Sequence, residues 1–177
     1  MIVLGVDPGT RHTGYGVVEI VKRKETALDY GALALPTDLD HPERLRRIYA
    51  ELERLIDTYK PDECAVEMPV YAQNAQSMLK LGRAQAAAML AAANHGLAVT
   101  QYTPKEVKKS VVGNGNAAKE QVWFMVRAQL GLTESRGLDA SDALAVALCH
   151  AHRVEQGPEG KFKDWKSFLD ANPSRVK

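Results

Sequence analysis

IVLGVDPGTRHTGYGVV, residues 2 to 18, is the segment around which the rest of the chain is predicted to be built. It begins with a short apolar run containing one glycine, which is typical of a strand buried on both faces. The run stops at Asp7, an acid at the point where the strand should leave the core. Pro8 and Gly9 then form a turn, and residues 15 to 20 predict a second strand. A buried strand that ends in a carboxylate before a glycine-rich turn indicates a metal or phosphate site, although a simple turn cap explains Asp7 equally well.

The length of 177 residues suits one domain with a substantial core. Hydrophobic residues make up 45% and charged residues 25%, the balance of a soluble globular protein. We expect a cytoplasmic protein, because no apolar run approaches the ~20 residues of a membrane span and Asp7 interrupts any secretory signal. Cys64 and Cys149 lie in apolar surroundings without metal-ligand spacing, so we expect reduced core residues rather than a disulfide or a zinc site.

The net charge is only +1, but the charges are unevenly distributed. Residues 80 to 127 carry seven bases against two acids, whereas residues 38 to 67 carry nine acids against five bases. A basic segment in a nearly neutral protein could present one face to a polyanion. A solvated helix surface without a ligand is the simpler interpretation of the same pattern.

Two further strands and a helix are predicted before residue 68. Ala27 to Leu35 predicts a third strand, so that the first three strands form an antiparallel meander. A helix follows from its N-cap, Asp40, up to Pro61, because large apolar residues recur there at three- and four-residue spacing. Residues 63 to 66 then predict a fourth, short strand.

The fourth strand repeats the pattern of the first, because its apolar run also delivers a carboxylate, that of Glu67. A strand, a helix and another strand favour a parallel pair joined by a right-handed crossover. If the two strands are neighbours, Asp7 and Glu67 lie on one rim of the sheet, where open α/β sheets bind ligands. A surface acid at a strand end is the simpler interpretation of Glu67, but the presence of Asp7 favours the paired one.

The next segments predict an alanine-rich helix over residues 77 to 93 and a fifth strand over residues 98 to 102. Thr103 then caps a short helix, with proline and glutamate at its first and third positions. That helix carries several lysines and is broken by the glycines at 113 and 115.

A further helix is predicted over residues 117 to 130, with Asn116 as its cap. Lys119 would lie in its first turn, where the helix dipole disfavours a cation. This placement is weak evidence that Lys119 serves an anionic ligand.

Two more acids, Asp139 and Asp142, open the last predicted helix. Their i, i+3 spacing places both on one face of its first turn, where the dipole favours negative charge. Capping alone could explain one acid, and it explains two less well, because their face continues as a stripe of small apolar residues. The four carboxylates are therefore predicted to lie close together at one rim of the sheet. They can stay ionised together only beside cations.

Oxygen ligands without a matching His or Cys cluster select Mg²⁺ or Mn²⁺ over zinc. Two such ions ~4 Å apart can stabilise both the attacking and the leaving oxygen in phosphodiester hydrolysis. The five histidines are weaker candidates for metal ligands than the acids. We interpret His150 and His152 as surface residues or as stabilising a helix C-terminus. The sequence contains no Walker A, GxSxG or GxGxxG motif.

Four segments, in order along the chain, resemble the RuvC family of bacterial Holliday junction resolvases over residues 1 to about 152. They are GVDPGTRHTGYGVV, AVEMPV with the following NAQSMLKLGRAQ, VKKSVVGNGNAAKEQV and DASDALAVALCH. The resemblance implies an α/β, ribonuclease-H-like fold whose mixed five-stranded sheet, an antiparallel meander plus two parallel strands, is flanked by helices. It also implies a homodimer that makes paired cuts in four-way DNA junctions with Mg²⁺, two ions per subunit, and with Mn²⁺ as a substitute.

The family's four metal-binding, catalytic acids fall on Asp7, Glu67, Asp139 and Asp142. Lys108 and Lys119 match its two DNA-contacting lysines, and we also expect Arg83 to contact DNA. Better-known members have an aromatic residue three positions after the catalytic Glu, near the junction centre. Val70 occupies that position here, so Tyr71, one residue later, is the candidate. The resemblance further implies a branch-migration motor complex as a partner.

Two alternatives belong to other functional classes. The turn after the first strand also resembles the first phosphate loop of actin-like ATPases and sugar kinases, but these usually need a second, duplicated domain for which 177 residues leave no room. A junction-binding protein without catalysis is the other alternative, and the presence of all four acids argues against it. Nucleotide hydrolysis would identify the first alternative, and the absence of metal-dependent nicking the second.

The C-terminal residues differ in composition from the rest of the chain. We expect a nuclease domain over residues 1 to 153 and a linker and tail over residues 154 to 177, because two glycines and a proline fall within residues 154 to 160. Beyond them, large apolar residues are spaced i, i+3, i+6 and i+7 with lysines between them: Phe162, Trp165, Phe168 and Leu169. This segment could pack on the domain, dock on a partner or touch DNA.

Overall fold

A computed structural model describes residues 1–69 and 74–156 of the chain. The five strands are β1 (Ile2–Asp7), β2 (His12–Val21), β3 (Lys24–Ala34), β4 (Glu63–Glu67) and β5 (Ala98–Tyr102). The five helices of the described ranges are α1 (His41–Tyr59), α2 (Ala75–Asn94), α3 (Pro104–Val112), α4 (Lys119–Leu130) and α5 (Leu138–Gln156). Tyr71 and the tail after Gln156 lie outside the described residues. In the part described, no helix is long and apolar enough to cross a membrane.

The strands form one mixed sheet in the order β3-β2-β1-β4-β5. The first three strands pair antiparallel, whereas β4 pairs parallel with both β1 and β5. The predicted meander and the predicted parallel crossover are both confirmed. Because β1 and β4 are parallel neighbours, their C-terminal residues Asp7 and Glu67 reach the same edge of the sheet.

Helices cover both faces of the sheet, and the alternation of side chains along each strand assigns residues to a face. Leu4, Val6 and Val66 point into the core that α1 and α2 cover. Val3 and Ala65 point into the opposite core, which α3, α4 and α5 cover. By the same two-residue period, Asp7 and Glu67 belong to the α5 side of the sheet.

Glycines in β1 and β2 allow α5 to lie against the sheet at very short range. A Cβ atom on Gly5 would collide with the carbonyl oxygen of Ala143 and would lie 2.7 Å from the Ala147 nitrogen. A Cβ on Gly14 would collide with the carbonyl oxygen of Asp139. These contacts fix the start of α5 beside the ends of β1 and β2.

Most predicted helix boundaries are confirmed, including the cap by Asp40, whose side chain accepts a hydrogen bond from the Glu43 amide at 2.8 Å. The cap predicted for α4 is wrong. Ala118 is the N-cap instead of Asn116, and its amide donates to the Gln121 side-chain oxygen at 2.9 Å. The Asn116 amide and the Asn114 side chain hydrogen-bond to each other within the preceding turn, so the helix starts two residues later than expected.

The interpretation of the C-terminal histidines as surface residues is also wrong. His150 is only 2% exposed, and its ring lies 2.8 Å from both the Tyr102 hydroxyl and the Glu63 carboxylate. His152 lies 3.0 Å from the Ser110 hydroxyl and 3.1 Å from the Glu25 carboxylate. The contacts of His150 join α5 to β4 and β5, and those of His152 join it to α3 and β3. Burial of the free cysteines Cys64 and Cys149 is confirmed.

Candidate active site

Asp7 and Glu67 form the inner part of the site, since each is the last residue of a buried strand. Burial, together with the negative charge of Asp7, raises the pKa of Glu67 to about 9. Burial, together with repulsion from Asp142, raises the pKa of Asp7 to about 6. The two carboxyl groups therefore hold at least one proton at neutral pH unless a cation is present.

Asp139 and Asp142 are the second and fifth residues of α5, and the glycine contacts place the start of this helix at the rim. Their spacing turns both toward β1, but not to the same depth. The side chain of Asp142 is 18% exposed, and its charge raises the pKa of both Asp7 and Glu67. The side chain of Asp139 is 42% exposed and lies at the margin, where its charge raises the pKa of Asp7.

Lys119, the first residue of α4, reaches into this cluster. Its ammonium nitrogen donates a hydrogen bond to the Asp142 carboxylate at 2.6 Å. That bond is the largest cause of the raised pKa of Lys119, and the charges of Asp7 and Glu67 act in the same direction. Lys119 thus offsets part of the negative charge, although its own helix dipole disfavours a cation there.

A hard divalent cation fits this group of acids on two observations. All the donors are carboxylate oxygens, which Mg²⁺ and Mn²⁺ prefer. Burial and mutual repulsion oppose ionisation of Asp7 and Glu67, and a cation would relieve both. Within residues 1–69 and 74–156, no three acid, His or Cys side chains already stand close enough to enclose an ion, and Asp142 is held by Lys119.

The sequence matches a family model described as crossover junction endodeoxyribonuclease RuvC over residues 3–150. The chain belongs to the RuvC family. A relative named crossover junction endodeoxyribonuclease RuvC from Salinibacter ruber is 56% identical over 177 residues, with 99% of each chain covered. The family model therefore stops before the tail, whereas the alignment with this relative extends over it.

Solved structures agree with this membership. The RuvC structure from Thermus thermophilus matches at 36% identity with a TM-score of 0.81, over 89% of this chain and 97% of that one. Thermus thermophilus RuvC in complex with Holliday junction substrate matches at 34% identity and a TM-score of 0.80, with the same coverage. The yeast mitochondrial Holliday junction resolvase, at 14% identity and a TM-score of 0.63 over 85% of this chain and 77% of that one, shares the fold. The predicted ribonuclease-H-like fold class is thereby confirmed.

The remaining residues predicted for DNA contact are more dispersed in this RuvC-family chain. Lys108 is half-buried on α3 and forms no ion pair with any residue that the structure describes. Arg83 is exposed on α2, on the opposite side of the sheet from α5. Tyr71 and Val70 fall between the two described ranges, so their assignment to the junction centre stays a prediction.

His12 lies beside an acid of the candidate site, and no sequence pattern predicted it there. It is the first residue of β2, and its ring nitrogen lies 3.8 Å from the Asp139 carboxylate. A signal for it existed in the hairpin register, because His12 is two residues before Gly14, the residue that contacts the backbone of Asp139. The proximity of His12 to Asp139 could be recognised only after the position of α5 was known.

Proposed function

We propose that this chain is a structure-specific endonuclease that resolves four-way DNA junctions by paired, metal-dependent phosphodiester hydrolysis during homologous recombination and repair. Membership of the RuvC family carries the proposal. The convergence of acids from β1, β4 and α5 on one rim of the sheet supports it, because a nuclease of this kind needs several oxygen ligands at one place.

We assign the metal ligands to Asp7, Glu67, Asp139 and Asp142. Bound there, two Mg²⁺ ions, or Mn²⁺ in their place, would supply Lewis-acid stabilisation of the attacking and leaving oxygens. Asp7 and Glu67 must lose their shared proton to act as ligands, so the activity should rise with pH above neutrality in parallel with metal affinity. Asp139, more exposed than the others, is best placed to remain in contact with solvent.

Lys119 is the residue best placed to bind the DNA backbone next to these acids. Its side chain is 55% exposed, and its nitrogen points at the rim from the first position of a helix, where amide groups also attract anions. Neutralisation of Asp142 by a cation would weaken the hold on Lys119 and leave its ammonium available for a phosphate. Lys119 is thus a link between metal binding and substrate binding.

Cleavage of a plasmid that extrudes a cruciform tests the proposal. Paired cuts within one encounter convert the supercoiled circle directly to a linear molecule, because both strands are cut before the protein leaves. Linear product without accumulation of nicked circles is expected in Mg²⁺. Exclusively nicked circles would contradict paired resolution, and an intact plasmid in all divalent metals would contradict a nuclease.

Replacement of Lys108 or Lys119 by alanine should weaken junction binding and lower the salt dependence by roughly one unit per phosphate contact. We expect slower cleavage at saturating DNA for Lys119→Ala only, because Lys119 alone of the two is paired with an acid of the site. Filter binding across a salt series measures the slopes, and Lys105→Ala, a change at an exposed lysine of α3, is the matched control. If neither variant changes the salt dependence of binding, both lysines belong to a solvated surface that does not contact phosphate.

We also propose a symmetric homodimer with α2 at its interface, because a four-way junction must be cut twice and each chain holds one site. One face of α2 is buried against the core through its alanines, while Leu79 and Leu90 on the other side are 54% and 55% exposed. Leu90→Glu should therefore produce a monomer that binds junctions weakly, whereas Val21→Glu, a similar change in β2, should remain a dimer. Light scattering measures the mass of each variant in solution. A wild-type mass of 19.4 kDa, that of one chain, with cleavage intact would contradict the dimer.

Truncation of the chain should leave metal-dependent cleavage intact, provided that α5 is kept whole. The helix continues through Gln156, three residues beyond the expected domain boundary, and Arg153 lies 5.7 Å from the centre of the Tyr102 ring. A chain that ends at residue 156 should cut junctions within about threefold of the full chain, because the proposed site lies at the other end of α5. Loss of cutting in a truncated chain with native circular dichroism would place the tail in the active machinery.

A further inference from the structure

An apolar groove lies between α3 and α4, and none of the four acids of the candidate site lines it. It has a volume of about 370 Å³, and we call it the α3–α4 groove; its lining residues are Val112, Glu120, Gln121, Phe124 and Met125. Phe124 is 61% exposed, more than any other large hydrophobic residue of the described ranges. An exposed aromatic side chain in an apolar concavity is typical of a surface that another segment covers.

The groove is separate from the face proposed for the dimer. The α3 and α4 helices pack on the α5 side of the sheet, whereas α2 packs on the other side. Its apolar character also makes it a poor surface for the DNA backbone, since Glu120 is the only charged residue in its lining. A partner for this groove must therefore supply apolar side chains and tolerate or favour an acid at the rim.

We propose that the tail, residues 157 to 177, docks in the α3–α4 groove of its own chain, with its aromatic residues against Phe124. The tail contains two phenylalanines, a tryptophan and a leucine at helical spacing, and three lysines alternate with them. The apolar residues match the groove, and a lysine beside them can pair with Glu120. The tail therefore supplies both the apolar side chains that the groove can cover and a basic side chain for its one acid.

The end of α5 is close enough for the tail to reach. His152 contacts Ser110 of α3 and Glu25 of β3, and Ser110 is only two residues before Val112 of the groove. Glu25 and Leu130, the last residue of α4, line a common cavity. From Leu130, Phe124 is about 9 Å along the helix axis. The residues between Gln156 and Lys161 can span up to about 17 Å, so Trp165 is well within range.

Fluorine NMR of the full chain labelled with 5-fluorotryptophan tests the docking directly. The chain has two tryptophans, and Trp165→Phe assigns the signals of Trp123 and Trp165. The shift of the Trp165 signal between H₂O and D₂O should be about twofold smaller than in a synthetic peptide of residues 157 to 177, because a packed indole meets little water. Phe124→Ser should restore the value of the peptide. Leu28→Ser, at an exposed leucine of β3, should leave it unchanged.

A substitution in the tail provides a second readout and leaves every lining residue of the groove unchanged. In Trp165→Ser, the signal of Trp123, the neighbour of Phe124, should move, and amide exchange over residues 112 to 125 should accelerate. A Trp165 signal equal to that of the peptide in the unmodified chain would overturn the proposal, as would full protection in a folded Phe124→Ser variant. Protection that is lost on hundredfold dilution would identify a second copy as the source of the tail and overturn docking within one chain.

Discussion

Asp7→Asn should reduce junction cleavage by at least ~10³-fold while leaving junction binding within a few fold, because ligands that act as a unit fail together. Asp7 is the acid that responds to all three of the others, since its pKa reflects Glu67, Asp139 and Asp142. The same loss is expected for Glu67→Gln, Asp139→Asn and Asp142→Asn. Single-turnover cleavage of a labelled junction measures the rate, and Asp38→Asn, at an exposed acid before α1, is the control. Wild-type cleavage by Asp7→Asn in Mg²⁺ would exclude the four-acid site.

The same substitution should make the metal-free protein more stable at neutral and alkaline pH. The pKa of Asp7 is raised from 3.8 to about 6 in the folded chain, so its contribution to stability is present below pH 4 and is lost as the pH rises through 6. Asparagine cannot ionise, and we expect about 1–3 kcal/mol of added stability at pH 8. The difference should vanish at pH 4. Thermal unfolding in a chelator at both pH values checks the sign.

Gly5→Ala should destabilise the fold by about 3 kcal/mol and also remove activity, because the new methyl group has no space. Its Cβ would collide with the Ala143 carbonyl oxygen and would meet the Ala147 backbone, neither of which can move without displacing α5. Since Asp142 is carried by the first turn of that helix, a displaced α5 also moves a proposed ligand. A loss of this size lowers Tm by about 6–12 °C in a domain of this length.

Gly82→Ala is the matched control for this prediction. Gly82 lies within α2, and a Cβ there would meet no atom within 4 Å. Alanine is the better helix former by about 0.8–1 kcal/mol, so the control should keep or raise the unfolding temperature. Equal stability of Gly5→Ala and the unmodified chain would mean that α5 does not pack against β1 as closely as the structure indicates.

The main features of the candidate site could be predicted because they depend on local patterns. An apolar run that ends in an acid occurs twice, at Asp7 and at Glu67, and a two-residue period puts both acids on one face once the strands are neighbours. The i, i+3 spacing of Asp139 and Asp142 likewise belongs to one helical turn. Strand length, turn residues and helix caps such as Thr103 are encoded within a few residues, so the element order was also predictable.

The contacts that could not be predicted join residues far apart in the sequence. The ion pair of Lys119 with Asp142 depends on how α4 packs against α5, which no local pattern encodes. His150 was interpreted as a surface residue or as one that stabilises a helix C-terminus, because it lies past the acids on the last helix. Tertiary packing buries it against Tyr102 and Glu63. The start of α4 was misplaced because Asn114 and Asn116 form a local turn that competes with helix capping.

Cleavage of a synthetic four-way junction, compared with a linear duplex of the same arm sequence, tests the assigned function most directly. Symmetric cuts in two opposing strands are expected in Mg²⁺, with no cutting in a chelator and none in the duplex under either condition. Binding of the junction should persist in the chelator, because Lys108 and the other basic residues outside the acid cluster act without metal. Cutting that survives the chelator, or equal cutting of duplex and junction, would contradict a metal-dependent junction resolvase.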